Sequence, residues 1–163
     1  MPTPAIVPLE DVILSAATTS INISSIPNTY KDIIISLTWR NSGIGSAVRV
    51  RLNSSTGSHD WATFYGNMNA SSGGWNGDEN SSRAFGVAAG PTTEWQTGTI
   101  TVYDYANPNR HTLLMARHAD ASGDSSWVGG RWESNAAVNT ITIFDVLGQT
   151  IQSGARLQVW GRY

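Results

Sequence analysis

Three histidines, His59, His111 and His118, are the first candidates for metal binding or general-base chemistry in this sequence. On a regular strand an odd separation places two side chains on opposite faces of the sheet, and His111 and His118 are seven residues apart. We therefore expect these two imidazoles not to share a metal ion. His59 precedes Asp60 in a segment of turn-forming residues, where a structural role is favoured over a catalytic one.

Nucleophilic and acid–base catalysis find no better support. Serine is abundant, but the Gly-x-Ser-x-Gly turn of serine hydrolases is absent from the sequence. Glycoside hydrolysis requires two carboxylates at a defined separation across a cleft. Glu94, Asp104, Glu133 and Asp145 are available, but their spacing selects no pair, and each is interpreted as a strand-end or turn residue. The sequence therefore predicts no catalytic residues and no enzymatic activity.

One acidic segment, residues 76–80 with the sequence Asn-Gly-Asp-Glu-Asn, places several oxygen ligands close together. A hard cation such as calcium accepts such ligands, although the segment does not match the twelve-residue calcium loop. A solvated turn is the favoured interpretation, and a cation site is the alternative. No glycine-rich phosphate loop leads into a helix. We predict no cofactor and no resident metal.

Composition narrows the possible partners. The chain has 163 residues, of which 40% are hydrophobic and only 13% are charged, and its formal net charge is −2. Lys31 is its one lysine, so no basic surface for nucleic acid is expected. Cysteine is absent, which removes disulfides and thiolate metal sites. With no basic region before a long apolar run, neither a standard export signal nor a membrane span is expected.

The elements that position these residues are predicted to be strands. Period-two alternation places the apolar residues of two segments on one face each, Ile33, Ile35, Leu37 and Trp39 in the first and Val48, Val50 and Leu52 in the second. The turn-rich residues 41–46 favour a hairpin between the two segments. Further strands are predicted over 61–68, 98–105, 111–118, 127–132, 140–145 and 153–163, with 98–105 paired to 111–118. Frequent turn signals and the lack of a helical period indicate an all-β, antiparallel β-sandwich, a jelly roll of about eight strands.

The two ends of the chain have distinct patterns. Three prolines in the first eight residues predict an extended arm over residues 1–8, followed by one domain over 9–163. In the last strand Ala155, Leu157 and Val159 share one face, which we predict to be buried. Arg156, Gln158 and Trp160 share the other.

The polar stretch 69–83 is predicted to be a long loop, and such loops are often functional. Trp75 is the one large apolar residue within it. An exposed tryptophan there would suit a protein interface or stacking on a sugar ring. The alternative is that the loop folds back over one end of the sandwich.

Five segments resemble a family of small phage virion structural proteins, which includes head decoration proteins and tail or receptor-binding components. The segments are residues 30–40, 50–53 and 98–107, Trp132 with 141–144, and 153–161. In that family the last strand commonly ends with Ser-Gly-Ser, a few alternating residues, an aromatic residue and glycine. Ala155 and Trp160 replace the more usual Ser and Tyr.

The resemblance implies a virion component, and the chain has no fibre-like repeat. The leading hypothesis is a decoration (cement) protein on the outer surface of the capsid, a homotrimer that binds the major capsid protein. Its expected interface includes Pro2, Pro4, Ile6 and Pro8 of the arm, together with Arg49, Arg51 and Trp75. The alternative is a tail or fibre component that recognises host carbohydrate through Trp75 and its loop.

Overall fold

Alternating apolar and polar residues produce strands throughout the computed structural model, which describes residues 5–43, 47–56, 59–66, 72–77, 85–89, 94–121 and 123–163. Within these ranges the chain forms twelve strands and no helix. They are β1 (Ile6–Ile13), β2 (Ser20–Ile23), β3 (Asp32–Trp39), β4 (Ala47–Leu52), β5 (His59–Gly66), β6 (Ser72–Gly77), β7 (Phe85–Ala89), β8 (Gln96–Tyr103), β9 (Thr112–Asp120), β10 (Ser125–Trp132), β11 (Ile141–Asp145) and β12 (Arg156–Arg162). No helix in the described ranges is long and apolar enough to span a bilayer.

The strands form two antiparallel sheets. The larger has eight strands in the order β1-β12-β3-β8-β9-β10-β5-β6, and the smaller has four in the order β2-β11-β4-β7. Without β5, β6, β9 and β10, the first sheet reduces to β1-β12-β3-β8, and eight strands remain in the order of a jelly roll. The other four strands extend the larger sheet beyond β8. The predicted antiparallel sandwich is therefore confirmed, and the strand count is higher because two hairpins are added.

The core lies between the sheets and follows the predicted alternation. Ile33, Ile35, Leu37 and Trp39 of β3 are buried, as are Val48, Val50 and Leu52 of β4. The alternation also holds at β12, since Leu157 and Val159 are buried, as is Ala155 directly before the strand, while Arg156 is exposed. Burying apolar area of this kind contributes about 25 cal/mol per Å² to folding.

The predicted hairpin between β3 and β4 is wrong. β3 pairs with β12 and β8, whereas β4 pairs with β11 and β7 in the other sheet. Alternation identifies the buried face of a strand but not its neighbour. After β3 the chain forms a bridge from Asn41 to Ile151, and β3 and β4 bury their apolar faces in one common core.

Two other predictions are corrected by strand pairing. Ile6 and Pro8 lie within β1 and pair with Arg162 and Trp160, so this part of the predicted arm belongs to the sheet. Within the predicted loop 69–83, Ser72–Gly77 forms β6 and pairs with β5. Backbone hydrogen bonds form a ladder whatever the polarity of the side chains, which is why a strand rich in glycine, serine and asparagine escaped the alternation criterion.

Candidate protein-binding face

The outward side of the added strands carries a three-by-three grid of side chains, which we call the platform. The platform consists of Asp60, Ala62 and Phe64 on β5, Trp127, Gly129 and Arg131 on β10, and Leu113, Met115 and Arg117 on β9. Residues between them along each strand, such as Val128 and Leu114, are buried toward the smaller sheet. The pleat of the strands thus sends alternate residues to opposite faces.

Strand register sets the three rows of the platform. Trp127 is paired with Phe64 on one side and with Arg117 on the other. Gly129 is likewise paired with Ala62 and Met115 in the second row. The third row contains Asp60, Arg131 and Leu113. Directly opposed residues have Cβ atoms about 5 Å apart, so the nine positions form one continuous surface.

Four large apolar side chains of the platform are exposed. Phe64 is 70% exposed, Trp127 61%, and Leu113 and Met115 50% each. Isolated apolar residues are ordinary on protein surfaces, whereas a cluster on three adjacent strands is typical of interaction sites. Met115 is partly fixed, because the Tyr103 hydroxyl donates a hydrogen bond to its sulfur over 3.8 Å.

A shallow depression of about 360 Å³ lies over the second and third rows of the platform. It is lined by Asp60, Trp61, Ala62, Leu113, Gly129, Gly130 and Arg131. Gly129 leaves space there, since a Cβ built at this position meets no atom within 4 Å. The surface therefore has an apolar floor with open space above it, between larger side chains at its rim.

The two arginines of the platform, Arg131 and Arg117, differ in whether an acidic side chain neutralises them. Arg131 donates to Asp60 Oδ2 through Nε over 3.1 Å and through Nη2 over 2.5 Å, and Nη2 also reaches Glu133 Oε1 at 2.5 Å. The hydrogen bond to Asp60 raises the pKa of Arg131 above its ordinary value. Arg117 has no such acidic partner among the described residues. One arginine is thus neutralised within the domain and the other faces solvent as an uncompensated cation.

The inner side of the same strands holds two of the three histidines. His118 is buried, with Nε2 3.0 Å from Gln96 Oε1 and Nδ1 3.4 Å from Ser126 Oγ. Burial lowers the pKa of His118, and the nearby Asp120 and Asp124 oppose that shift. His59 begins β5 rather than lying in a turn, and its ring stacks on Trp132 at 6.2 Å. Both imidazoles are packed within the core.

The candidate carboxylates are used separately. Asp104 pairs with Arg110 at 3.1 Å, and Glu133 pairs with Arg131. Asp145 is buried and accepts backbone hydrogen bonds from residues 147 and 149, while Glu94 is exposed. Within the described ranges no three histidine, aspartate or glutamate side chains form a group that could hold a metal. Most of the acidic segment 76–80 lies outside those ranges.

The described residues of the predicted interface are divided between two sheets, with Arg49 and Arg51 on β4 of the smaller sheet and Ile6 and Pro8 on β1 of the larger. The guanidinium of Arg49 lies 4.9 Å from the Trp61 ring centroid, and burial lowers its pKa. Arg51 lies 4.5 Å from the Phe144 ring centroid. Both cations, which we predicted to belong to the interface, thus stack on rings of their own domain.

Ile6 and Pro8 are exposed on β1, at the opposite edge of the sheet from the platform. Pro2 and Pro4 lie outside the described residues. The backbone of Trp75 is in β6, paired with Thr63, but its side chain also lies outside the described part.

Sequence reasoning missed the platform, although a signal for it was present. Residues 113–118 carry Leu113 and Met115 on one face and Leu114 and Ala116 on the other. Trp127 and Trp132 are five apart, so one of them must point away from the core. Apolar residues on both faces of adjacent strands indicate that the outer face is used.

No protein-family model and no curated protein matches the sequence. Among solved structures, the galectin LEC-6 of Caenorhabditis elegans aligns with 94% of this chain and 95% of its own, at 8% identity and a TM-score of 0.37. The alginate lyase Aly36B aligns with 93% of this chain and 77% of its own, at 11% identity and a TM-score of 0.35. At these scores the similarity supports no conclusion about the fold or function of this chain.

Proposed function

We propose that the protein is a non-enzymatic structural component of a phage particle, a decoration protein that binds the major capsid protein on the outer surface of the head. The platform is the attachment surface, and its cluster of four exposed apolar side chains is the observation that carries the proposal. The resemblance of the strand segments to virion proteins supplies the biological setting. Copies of the chain associate as a homotrimer, and light scattering of the free protein tests that mass.

The chemistry of the platform suits a protein partner. The buried centres of protein interfaces are enriched in aromatic residues, methionine and arginine and depleted in lysine. The platform combines Phe64, Trp127, Met115, Arg117 and Arg131, and it contains no lysine. The depression beside Gly129 is shallow, whereas a site for a small ligand encloses most of the ligand surface.

A polar rim borders the platform on β8. Thr97, Thr99 and Thr101 pair with residues of β9, and their side chains alternate outward with the buried Ile100 and Val102. An apolar centre surrounded by hydroxyl groups is the arrangement found in non-obligate interfaces, where the rim excludes water from the centre. The rim therefore extends the contact surface toward the jelly-roll strands.

The extension of the larger sheet supports the same conclusion. The eight jelly-roll strands already form two four-stranded sheets, so closure of the sandwich does not need an apolar outer face on β9, β10 and β5. β7 lies against the inner side of these strands. Since packing accounts for their inner faces only, a binding role explains the apolar outer face.

The test is co-sedimentation of the purified protein with capsid shells that lack it. Trp127→Ser is expected to weaken binding by about 30-fold, because an aromatic residue at the centre of an interface typically contributes at least about 2 kcal/mol. Leu147→Ser is the matched control, since Leu147 is 62% exposed but lies in the turn after β11. Both variants should unfold in urea at the midpoint of the unsubstituted protein.

Full occupancy of shells by Trp127→Ser and Phe64→Ser would reject the platform as the attachment surface. Binding to a glycan array, lost in Trp127→Ser, together with localisation to the tail would favour recognition of host carbohydrate instead. A decoration protein is found on the head of the particle, whereas a carbohydrate-binding component is found on the tail.

A further inference from the structure

Arg117 is exceptional among the arginines of the domain. Eight of the nine arginines lie in the described ranges, and seven of those eight have a partner within the chain. Arg110, Arg131, Arg156 and Arg162 form ion pairs, and Arg40, Arg49 and Arg51 lie over aromatic rings. Arg117 alone among the eight has neither an acidic nor an aromatic partner in the described structure.

The neighbours of Arg117 on the outer face offer no counter-charge. It is paired with Thr99 on β8 and Trp127 on β10. Along its own strand the outward neighbours are Met115 and Ala119. Its diagonal neighbours across the two pairings, two residues away from the paired positions, are Thr97, Thr101, Ser125 and Gly129. An exposed cation therefore stands in a neighbourhood of hydroxyl and apolar groups.

We propose that the surface of the capsid protein that covers the platform carries a carboxylate, from Asp or Glu, which forms an ion pair with Arg117. An apolar side chain of the same surface fills the depression over Gly129. This inference rests on the proposed function, because it specifies the partner of the attachment surface.

The physical reason is the cost of burying a cation. A partner that covers Trp127 also removes water from Arg117, since the two residues are directly opposed. A guanidinium that loses water without gaining an anion is strongly destabilising. Arg131 has already met this requirement through Asp60 and Glu133, so the partner must supply a carboxylate for Arg117 only.

The two contacts are close enough to come from one short segment of the partner. Arg117 and Gly129 are diagonal neighbours across the β9–β10 pairing. Such positions are separated by about 7–8 Å. Residues i and i+2 of an extended strand are separated by a similar distance, at about 3.3 Å per residue. A strand or loop with a carboxylate two residues from an apolar side chain satisfies both contacts.

The experiment measures binding to undecorated capsid shells for Arg117→Gln, Arg117→Glu and Trp127→Ser at a series of salt concentrations. Arg117→Gln is expected to weaken binding at least about tenfold and to reduce its salt dependence, because an ion pair is lost. Arg117→Glu should weaken binding at least about 100-fold, because two carboxylates would then face each other. Lys31→Gln removes the same charge outside the platform and should bind as the unsubstituted protein does.

The outcomes separate this inference from the proposed function. Loss of binding in Trp127→Ser with unchanged binding and salt dependence in Arg117→Gln would overturn the carboxylate and leave the attachment surface standing. Weakening in Arg117→Glu alone would also overturn it, since an introduced acid can disturb any apolar contact. Unchanged binding in all three platform variants would reject the attachment surface itself. Urea midpoints equal to that of the unsubstituted protein confirm that each variant is folded.

Discussion

Gly161 lies directly beneath the ring of Tyr30, and substitution by alanine is expected to destabilise the domain. A Cβ at position 161 would lie 2.5 Å from Tyr30 Cδ2 and 2.6 Å from Cδ1, and closer still to Cγ. Carbon atoms in favourable contact are about 3.5–4.0 Å apart. The Tyr30 ring must therefore move by about 1 Å.

The Tyr30 ring is not free to move without loss. The ring centroid of Tyr30 is 4.9 Å from that of Tyr163. The backbone nitrogen of Tyr30 donates to the Tyr105 hydroxyl over 3.4 Å. Overpacking of this kind typically costs about 1–3 kcal/mol. For a domain of this size each kcal/mol lowers the midpoint of thermal unfolding by about 2–4 °C, so we expect a decrease of roughly 2–12 °C.

Thermal unfolding followed by tryptophan fluorescence measures the effect, and two further variants identify its cause. Gly129→Ala is the matched control, because its Cβ meets no atom within 4 Å, and we expect its stability to be unchanged or slightly raised. In a Tyr30→Ala background the cost of Gly161→Ala should largely disappear, since the clashing ring is gone. An unaltered midpoint for Gly161→Ala, or a cost that persists without the ring, would refute the reasoning.

Three further predictions concern polar residues. Burial lowers the pKa of His118 in the folded state, so the unfolded chain binds more protons below about pH 6.5 and the free energy of unfolding should fall with acidification. In urea titrations His118→Gln should lose less unfolding free energy between about pH 8 and about pH 5 than the unsubstituted protein does. An identical loss would contradict a lowered pKa at His118. Asn53 has a φ of 49°, accepts hydrogen bonds from the Asn139 and Thr140 nitrogens and donates one to the Ala137 carbonyl. Asn53→Ala should therefore lose about 1–3 kcal/mol of unfolding free energy. A loss below about 0.5 kcal/mol would show that these hydrogen bonds do not stabilise the fold. Asp145 accepts hydrogen bonds from the Leu147 and Gln149 nitrogens at 2.8 and 3.2 Å. Asp145→Ala should lower the free energy of unfolding by about 2–3 kcal/mol and speed amide exchange at both positions. Unchanged exchange would show that these two hydrogen bonds do not protect the amides.

Much of the fold follows from local patterns in the sequence. Alternation correctly identified the buried faces of β3, β4 and β12, because a one-residue shift would expose an apolar stripe. The predicted pairing of β8 with β9 is also confirmed. The same patterns could not identify sheet neighbours, since β3 and β4 present similar stripes to opposite sides of one core. Strand β6 had no such stripe, so only its backbone pairing with β5 revealed it.

The candidate site was less accessible to sequence reasoning. Arg49 and Arg51 alternate with buried residues and were expected to face a partner, but Trp61 and Phe144, distant in sequence, lie beneath their guanidinium groups. The platform depends on the lateral order β9-β10-β5, which joins residues from three separate segments. Phe64 and Trp127 become neighbours only through that order. Which side chains become neighbours on the platform therefore depends on long-range strand pairing, which local alternation does not reveal.

The central claim is that the platform faces the capsid protein, and site-specific photo-crosslinking in assembled particles tests it most directly. A photo-reactive residue at position 129 projects into open space at the centre of the platform, and one at position 142 on the smaller sheet serves as the comparison. We predict a cross-link from position 129 to the major capsid protein and little or none from position 142. Cross-links from position 129 to tail proteins, or equal capsid cross-linking from both positions, would contradict the account.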